Sequence, residues 1–196
     1  MKKKISMLVF LMVAALLAAA MAGAEAAQAP TLETLSEYDW SFMSGAGGWA
    51  TYIRINPDGS FTGDYHDSEM GETGDDYPYG TIYGCVFHGQ LTLGEQVSDY
   101  AWSVHVDAVE MDEGQVPESI EDGTRYVTIE PYGLTAGNDM LLFLPGTPVD
   151  ELPEEFLLWA HLIGSDETEL PNYGLYDEAA DTGFIAEEPF EVLEGE

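Results

Sequence analysis

Gly48-Trp49-Ala50-Thr51-Tyr52-Ile53-Arg54-Ile55-Asn56-Pro57-Asp58-Gly59-Ser60-Phe61-Thr62-Gly63-Asp64-Tyr65-His66 is the stretch that decides the fold. From Trp49 to Ile55, one face carries Trp49, Thr51, Ile53 and Ile55 and the other Ala50, Tyr52 and Arg54. That period of two belongs to a strand. Asn56-Pro57-Asp58-Gly59 then turns the chain, with proline at the second position of a type I turn and glycine at the left-handed residue that follows. Ser60 to His66 resumes the extended pattern, with Phe61 and Tyr65 sharing a face. Residues 48–66 therefore read as a β-hairpin.

The same logic runs outward. Asp67 to Gly80 reads as a polar loop. Thr81 to Leu93 reads as a long strand with Tyr83, Cys85 and Phe87 on one side, and with Gly84 and Gly89 as bulges or bends. Tyr100, Trp102, Val104, Val106 and Ala108 alternate with Ser103, His105 and Asp107, the pattern of a strand with one wet face. Asp112 to Gly123 reads as a polar loop, Arg125 to Ile129 as a strand, and Met140 to Leu144 as a short apolar strand. At Pro153 the period changes. Phe156, Trp159, Ala160 and Ile163 fall at helical spacing, Glu154 and Glu155 favour the positive helix end, and Gly164 suits the C-terminal cap. Tyr173 to Tyr176 and Phe184-Ile185 suggest a last hairpin. The expected fold is mainly β, an antiparallel barrel or sandwich-like sheet with six strands ahead of one C-terminal amphipathic helix.

The chain ends set the domain limits. Lys2, Lys3 and Lys4 precede an uncharged apolar run from Ile5 to Ala20, followed by Ala22-Gly23-Ala24 and Ala24-Glu25-Ala26. This order predicts a cleavable secretory signal peptide over 1–27, hence a secreted, extracellular protein. Its apolar run falls short of the roughly 20 residues that span a bilayer, and no later stretch is long and apolar enough. Residues 28–37 read as a linker, 38–187 as one domain and 188–196 as an acidic tail.

Charge narrows the partners. The chain has 5 Lys and Arg against 37 Asp and Glu, a formal net charge of -32. Three of those bases lie in the signal segment, which leaves Arg54 and Arg125. Phosphate binding needs clustered Lys and Arg, so nucleic acids and anionic lipid surfaces are poor partners. An unknown protein, or a neutral or cationic ligand, fits better. Cys85 is the only cysteine, so an intrachain disulfide is excluded. Its apolar neighbours suggest an inert buried thiol. Arg54 and Arg125 are expected to pair with protein acids.

The densest cluster of potential ligands is Asp64, Asp67, Glu69, Glu72, Asp75 and Asp76, with Gly71 and Gly74 to let the loop curl. Carboxylates on a flexible loop are what Ca²⁺ selects, so Ca²⁺ is the candidate cofactor, although the spacing is not that of an EF-hand. His66 borders the cluster. With its carboxylates it offers the alternative of an exported hydrolase. His66-Asp67-Ser68 holds triad residue types, but neighbours on an extended chain point to opposite faces. No G-x-S-x-G elbow and no HExxH occurs. Leu144-Pro145-Gly146-Thr147-Pro148 reads as a turn.

Ser44-Gly45-Ala46-Gly47-Gly48-Trp49, Asp58-Gly59-Ser60-Phe61, Gly63-Asp64-Tyr65-His66-Asp67-Ser68 and Tyr77-Pro78-Tyr79-Gly80-Thr81 together form a distinctive wording. It continues at Asp122 to Tyr126, Pro131-Tyr132-Gly133, Leu144-Pro145-Gly146 and Leu152 to Phe156. The chain resembles a family of uncharacterised exported proteins and lipoproteins of gut Firmicutes over about residues 40–185. It departs from the lipoprotein members in lacking the lipidated cysteine. The resemblance implies export and no particular activity. Gly48-Trp49 at a first strand and a late helix also resemble the lipocalins, which would imply a ligand-holding barrel. The expected function is an exported, non-enzymatic binding or interaction module, with Ca²⁺ as its candidate cofactor.

Overall fold

The structure, a computed structural model, describes residues 29–189. The expected signal peptide and residues 190–196 of the expected tail lie outside the described residues. Ten strands are found among them: β1 (Asp39–Met43), β2 (Trp49–Ile55), β3 (Ser60–Glu69), β4 (Thr81–Gln96), β5 (Ala101–Met111), β6 (Glu118–Glu121), β7 (Thr124–Thr128), β8 (Asp139–Phe143), β9 (Gly174–Asp177) and β10 (Thr182–Glu187). Two short helices accompany them, α1 (Leu32–Leu35) and α2 (Glu154–Trp159).

Strands β1, β2, β3, β4, β5, β8, β9 and β10 pair in that order, each antiparallel to the next, and β10 pairs back onto β1. This closes an eight-stranded barrel, so the expected antiparallel sheet takes the barrel form. The alternation read from the sequence sets the inner face: Ile53, Ile55, Phe61, Tyr65, Phe87 and Val104 are buried, while Tyr52 and Val86 stand exposed outside. An eight-stranded barrel is just wide enough for side chains to fill, and large residues fill this one.

The middle of the barrel is packed by an exchange between β3 and β4. Register places Phe61 opposite Gly89 and Gly63 opposite Phe87. Each phenylalanine thus lies beside the other strand's glycine, and the two rings meet edge to face with centroids 6.1 Å apart. Such pairs stabilise by about 0.5–1.5 kcal/mol beyond their burial.

Each end of the barrel has its own closure. At one end, the fully buried Trp40 donates its indole N–H to the Leu35 carbonyl at 3.2 Å. That bond, with the burial of Leu35, docks α1. At the other end, Phe42 meets Trp49, Tyr132, Trp159 and Phe184 at centroid distances of 4.7, 5.3, 4.9 and 5.4 Å. Two buried threonines hold a loop there: Thr51 donates to the Tyr132 carbonyl at 2.6 Å and Thr182 to the Gly133 carbonyl at 2.9 Å. A second apolar cluster lies on the outer side of the barrel, where Phe156 of α2 packs against Phe143 and Tyr176.

Several expectations need correction. Eight strands, not six, precede α2, because β1 and β6 were not foreseen; Trp49 opens the second strand, not the first. β1 has three buried residues in a row, since Ser41 on its outer side is covered as well, and this hides its alternation. β6 is polar and mostly exposed, so hydrophobic pattern does not reveal it. The signal that does is Asp122-Gly123, the two-residue hairpin turn with both φ angles positive (49° and 79°) that joins β6 to β7. Residues 28–37, expected as a linker, carry α1, whose Thr31 side chain accepts the Thr34 N–H.

The late helix is shorter than the period suggested. It ends at Trp159, and His161 at φ 55° takes the helix-capping position expected of Gly164, which is left-handed too, at φ 76°, in the turn that follows. His161 N–H bonds the Leu158 carbonyl and Leu162 N–H the Leu157 carbonyl, a Schellman closure. Leu162 is therefore buried while Ile163 is exposed.

Candidate binding site

The outer face of β1, β2 and β3, with parts of β4 and β10, forms an open trough of about 610 Å³. Register builds it row by row. Ser41 stands opposite Tyr52, Tyr52 opposite Asp64, and Asp64 opposite Val86. The neighbouring row runs Asp39, Arg54, Thr62. A second recess of about 290 Å³ shares Asp64 and Val86 with the first and continues over β4 to Tyr126 and Thr128 of β7. The two join because β5 leaves the edge of β4 at Phe87 and β7 takes that edge over at Thr81–Gly84. In the gap, the Gln115 amide bonds both the N–H and the carbonyl of Val86, each at 2.8 Å, and so replaces a strand.

Most polar groups in the trough are already engaged. Arg54 pairs with Asp39, its Nε 2.7 Å from Oδ1. Ser41 donates to Glu187 at 2.7 Å. Asp64 is different. Partial desolvation in the trough lifts its pKa above the ordinary carboxylate value, the charge of His66 opposes the rise, and the exposed carboxylate makes no side-chain hydrogen bond among the described residues. His66 lies beside it on the same strand, stacked against Tyr52 with centroids 6.3 Å apart.

The expected Ca²⁺ carboxylates are spread over several settings. β3 extends to Glu69, so Asp64 and Asp67 belong to a strand and face opposite sides of it. Glu72 accepts from Tyr83 Oη at 2.7 Å and from Arg125 at 3.0 Å. Asp75 and Asp76 lie in the loop beyond. Among the described residues no group of three or more His, Cys, Asp or Glu stands in position to hold a metal ion. The melting temperature at matched ionic strength, in EDTA and then in Ca²⁺, tests the expected site, and equal temperatures would show that the carboxylates stay apart. A Ca²⁺-selective rise, lost in Asp67→Asn, would show that these carboxylates close around the ion.

Both bases pair with acids, as expected. Arg125 grips Glu118 with two nitrogens at 3.0 and 3.3 Å and lies over the Tyr77 ring, 5.5 Å from its centroid. Together with its bond to Glu72, this fastens the loop after β3 to the β6–β7 hairpin. His88 and His105 bond Asp112 and Asp139 at the surface, each at 2.7 Å. Cys85 is buried, and desolvation, then the charges of Asp64, Asp112 and Glu130, push its thiol up to about 11. A thiol so placed is a poor nucleophile.

Sequence reasoning missed Asp39, Ser41, Val86 and Glu187 as neighbours of Asp64. The wet-face alternation of β2 already pointed to Tyr52 and Arg54, but the partners across the sheet depend on register. No protein-family model matches the chain, and searches of curated proteins and of solved structures found no match.

Proposed function

We propose that the protein is an exported, non-enzymatic binding module and that its binding surface is the outer trough centred on Asp64. A neutral or cationic ligand suits it. The observation that carries this reading is the Asp64 carboxylate, which makes no side-chain hydrogen bond among the described residues and stands exposed in a trough between the side chains of Tyr52 and Val86. A carboxylate with no protein partner is available to accept a ligand donor or to pair with a ligand cation. The filled barrel interior supports an outer site over an inner one. The resemblance to exported proteins agrees with this role.

The test is an NMR titration of backbone amides with spermidine, a neutral chitin oligomer and citrate as probes. Shifts are expected at Tyr52, Asp64 and Val86 with at least one of the first two and none with citrate. Shifts confined to other surfaces, or none with any probe, would overturn the reading.

A further inference from the structure

Resting on that reading, the joined recesses also narrow the ligand class. They cross β1, β2, β3 and β4 along the row Ser41, Tyr52, Asp64, Val86 and then turn along β4 to Tyr126 of β7, which stands opposite Ile82. At a strand spacing of about 4.8 Å the row from β1 to β4 is roughly 14 Å long, and the leg along β4 adds about 13 Å, so about six extended residues span the row and enter the second leg. Exposed apolar surface punctuates it at Tyr52, Val86 and Tyr126, on β2, β4 and β7. Asp64 lies between the first two. Arg54 contributes no free positive charge, since Asp39 holds it. Asp39, Asp64 and Glu187 leave the trough negative overall.

A second copy of this chain does not suit such a surface, because each copy carries a formal charge of -32 and would bring like charges together. A basic peptide suits it on both counts. Its cation meets a carboxylate within reach of an aromatic ring, and its apolar residues meet exposed side chains on either side.

We propose that the trough docks a short, extended, cationic peptide segment of a partner protein, with a lysine or arginine seated at Asp64 beside Tyr52. The electrostatic field of the chain speeds the encounter, and the Asp64 contact selects the register.

The probe is a hexapeptide with blocked ends and alternating lysine and valine, followed by calorimetry and amide NMR. It is compared with the same peptide carrying acetyl-lysine or glutamate in place of lysine. The lysine peptide is expected to bind with shifts along the trough. Asp64→Asn is expected to weaken it about tenfold, and Asp75→Asn, in the loop, to leave it unchanged. The glutamate peptide is expected not to bind. Equal binding of the acetyl-lysine peptide would overturn the cationic assignment while leaving a binding trough. Spermidine or chitin shifts at the trough without lysine-peptide binding would do the same. Lysine-peptide binding that Asp64→Asn does not weaken would place the peptide elsewhere and overturn the proposal.

Discussion

Gly89→Val is expected to cost about 3 kcal/mol or more, enough to lower the melting temperature by roughly 6–12 °C. A Cβ at this position would lie 2.1 Å from the Ala108 carbonyl oxygen and 2.3 Å from the Phe61 ring. The carbonyl is backbone of β5, where Gly89 pairs with Val109 and Gln90 with Ala108, so it yields only if the ladder opens. The ring belongs to the exchange with β3 and has no free side to move to. Adding Phe61→Ala to the variant should recover little, because the backbone overlap remains and the removed ring leaves a cavity of its own. Small domains hold only about 5–15 kcal/mol in all, so the loss is a large share of the whole. Thermal and urea unfolding measure it. A melting temperature within about 2 °C of the parent would show that β4 and β5 are not held in this register.

Trp40→Ala is expected to cost about 3–5 kcal/mol, the usual range for emptying a buried tryptophan site. Two effects add there. The indole is fully buried, and its N–H is the partner of the Leu35 carbonyl. Its loss removes the floor on which α1 rests and one bond that holds that helix in place. Trp40→Phe separates the terms: it keeps most of the volume and loses the bond, for a cost nearer 1 kcal/mol from the bond plus the volume difference. The two variants are compared by urea unfolding and by protease cleavage within residues 30–38. Faster cleavage in both, with a large stability loss only in Trp40→Ala, is the expected pattern. Unchanged cleavage in Trp40→Ala would show that α1 is held by other contacts.

The readable parts of this fold were those that a local period specifies. β2, β3, β4 and β5 alternate because one face meets the barrel interior and the other meets water, and their residues carry that contrast plainly. Gly59 announced its turn and adopts φ 83° there. β1 was hidden because Ser41 is buried by its contact with Glu187, so both of its faces are covered. β6 was hidden for the opposite reason, having almost nothing to bury. Gly63 and Gly89 could be read as weak strand residues, but not as partners of Phe87 and Phe61, since that pairing is a property of register and not of either strand. The site followed the same division. The outward face of Tyr52 was legible; its assembly with Ser41, Asp64 and Val86 needed three registers at once. The acidic wording from Asp64 to Asp76 looked like one cluster because neighbours in a list look like neighbours in space. A strand that runs on to Glu69 and a clamp on Glu72 separate them.

The barrel closes where β1 meets β10, with Trp40 opposite Ala186. The first and last strands of the fold are thus neighbours, and the pairing of highest sequence separation is the one that seals the molecule. Ring closure of that kind joins segments from opposite ends of the fold and follows the pairing of strands that are neighbours in sequence. A polypeptide synthesised from its N-terminus therefore keeps β1 without its second neighbour until residues 182–187 have emerged. The final step is late, and partly made chains expose an open sheet edge. Slow refolding after dilution from urea, with aggregation rising steeply with protein concentration, is the kinetic mark that such a topology leaves.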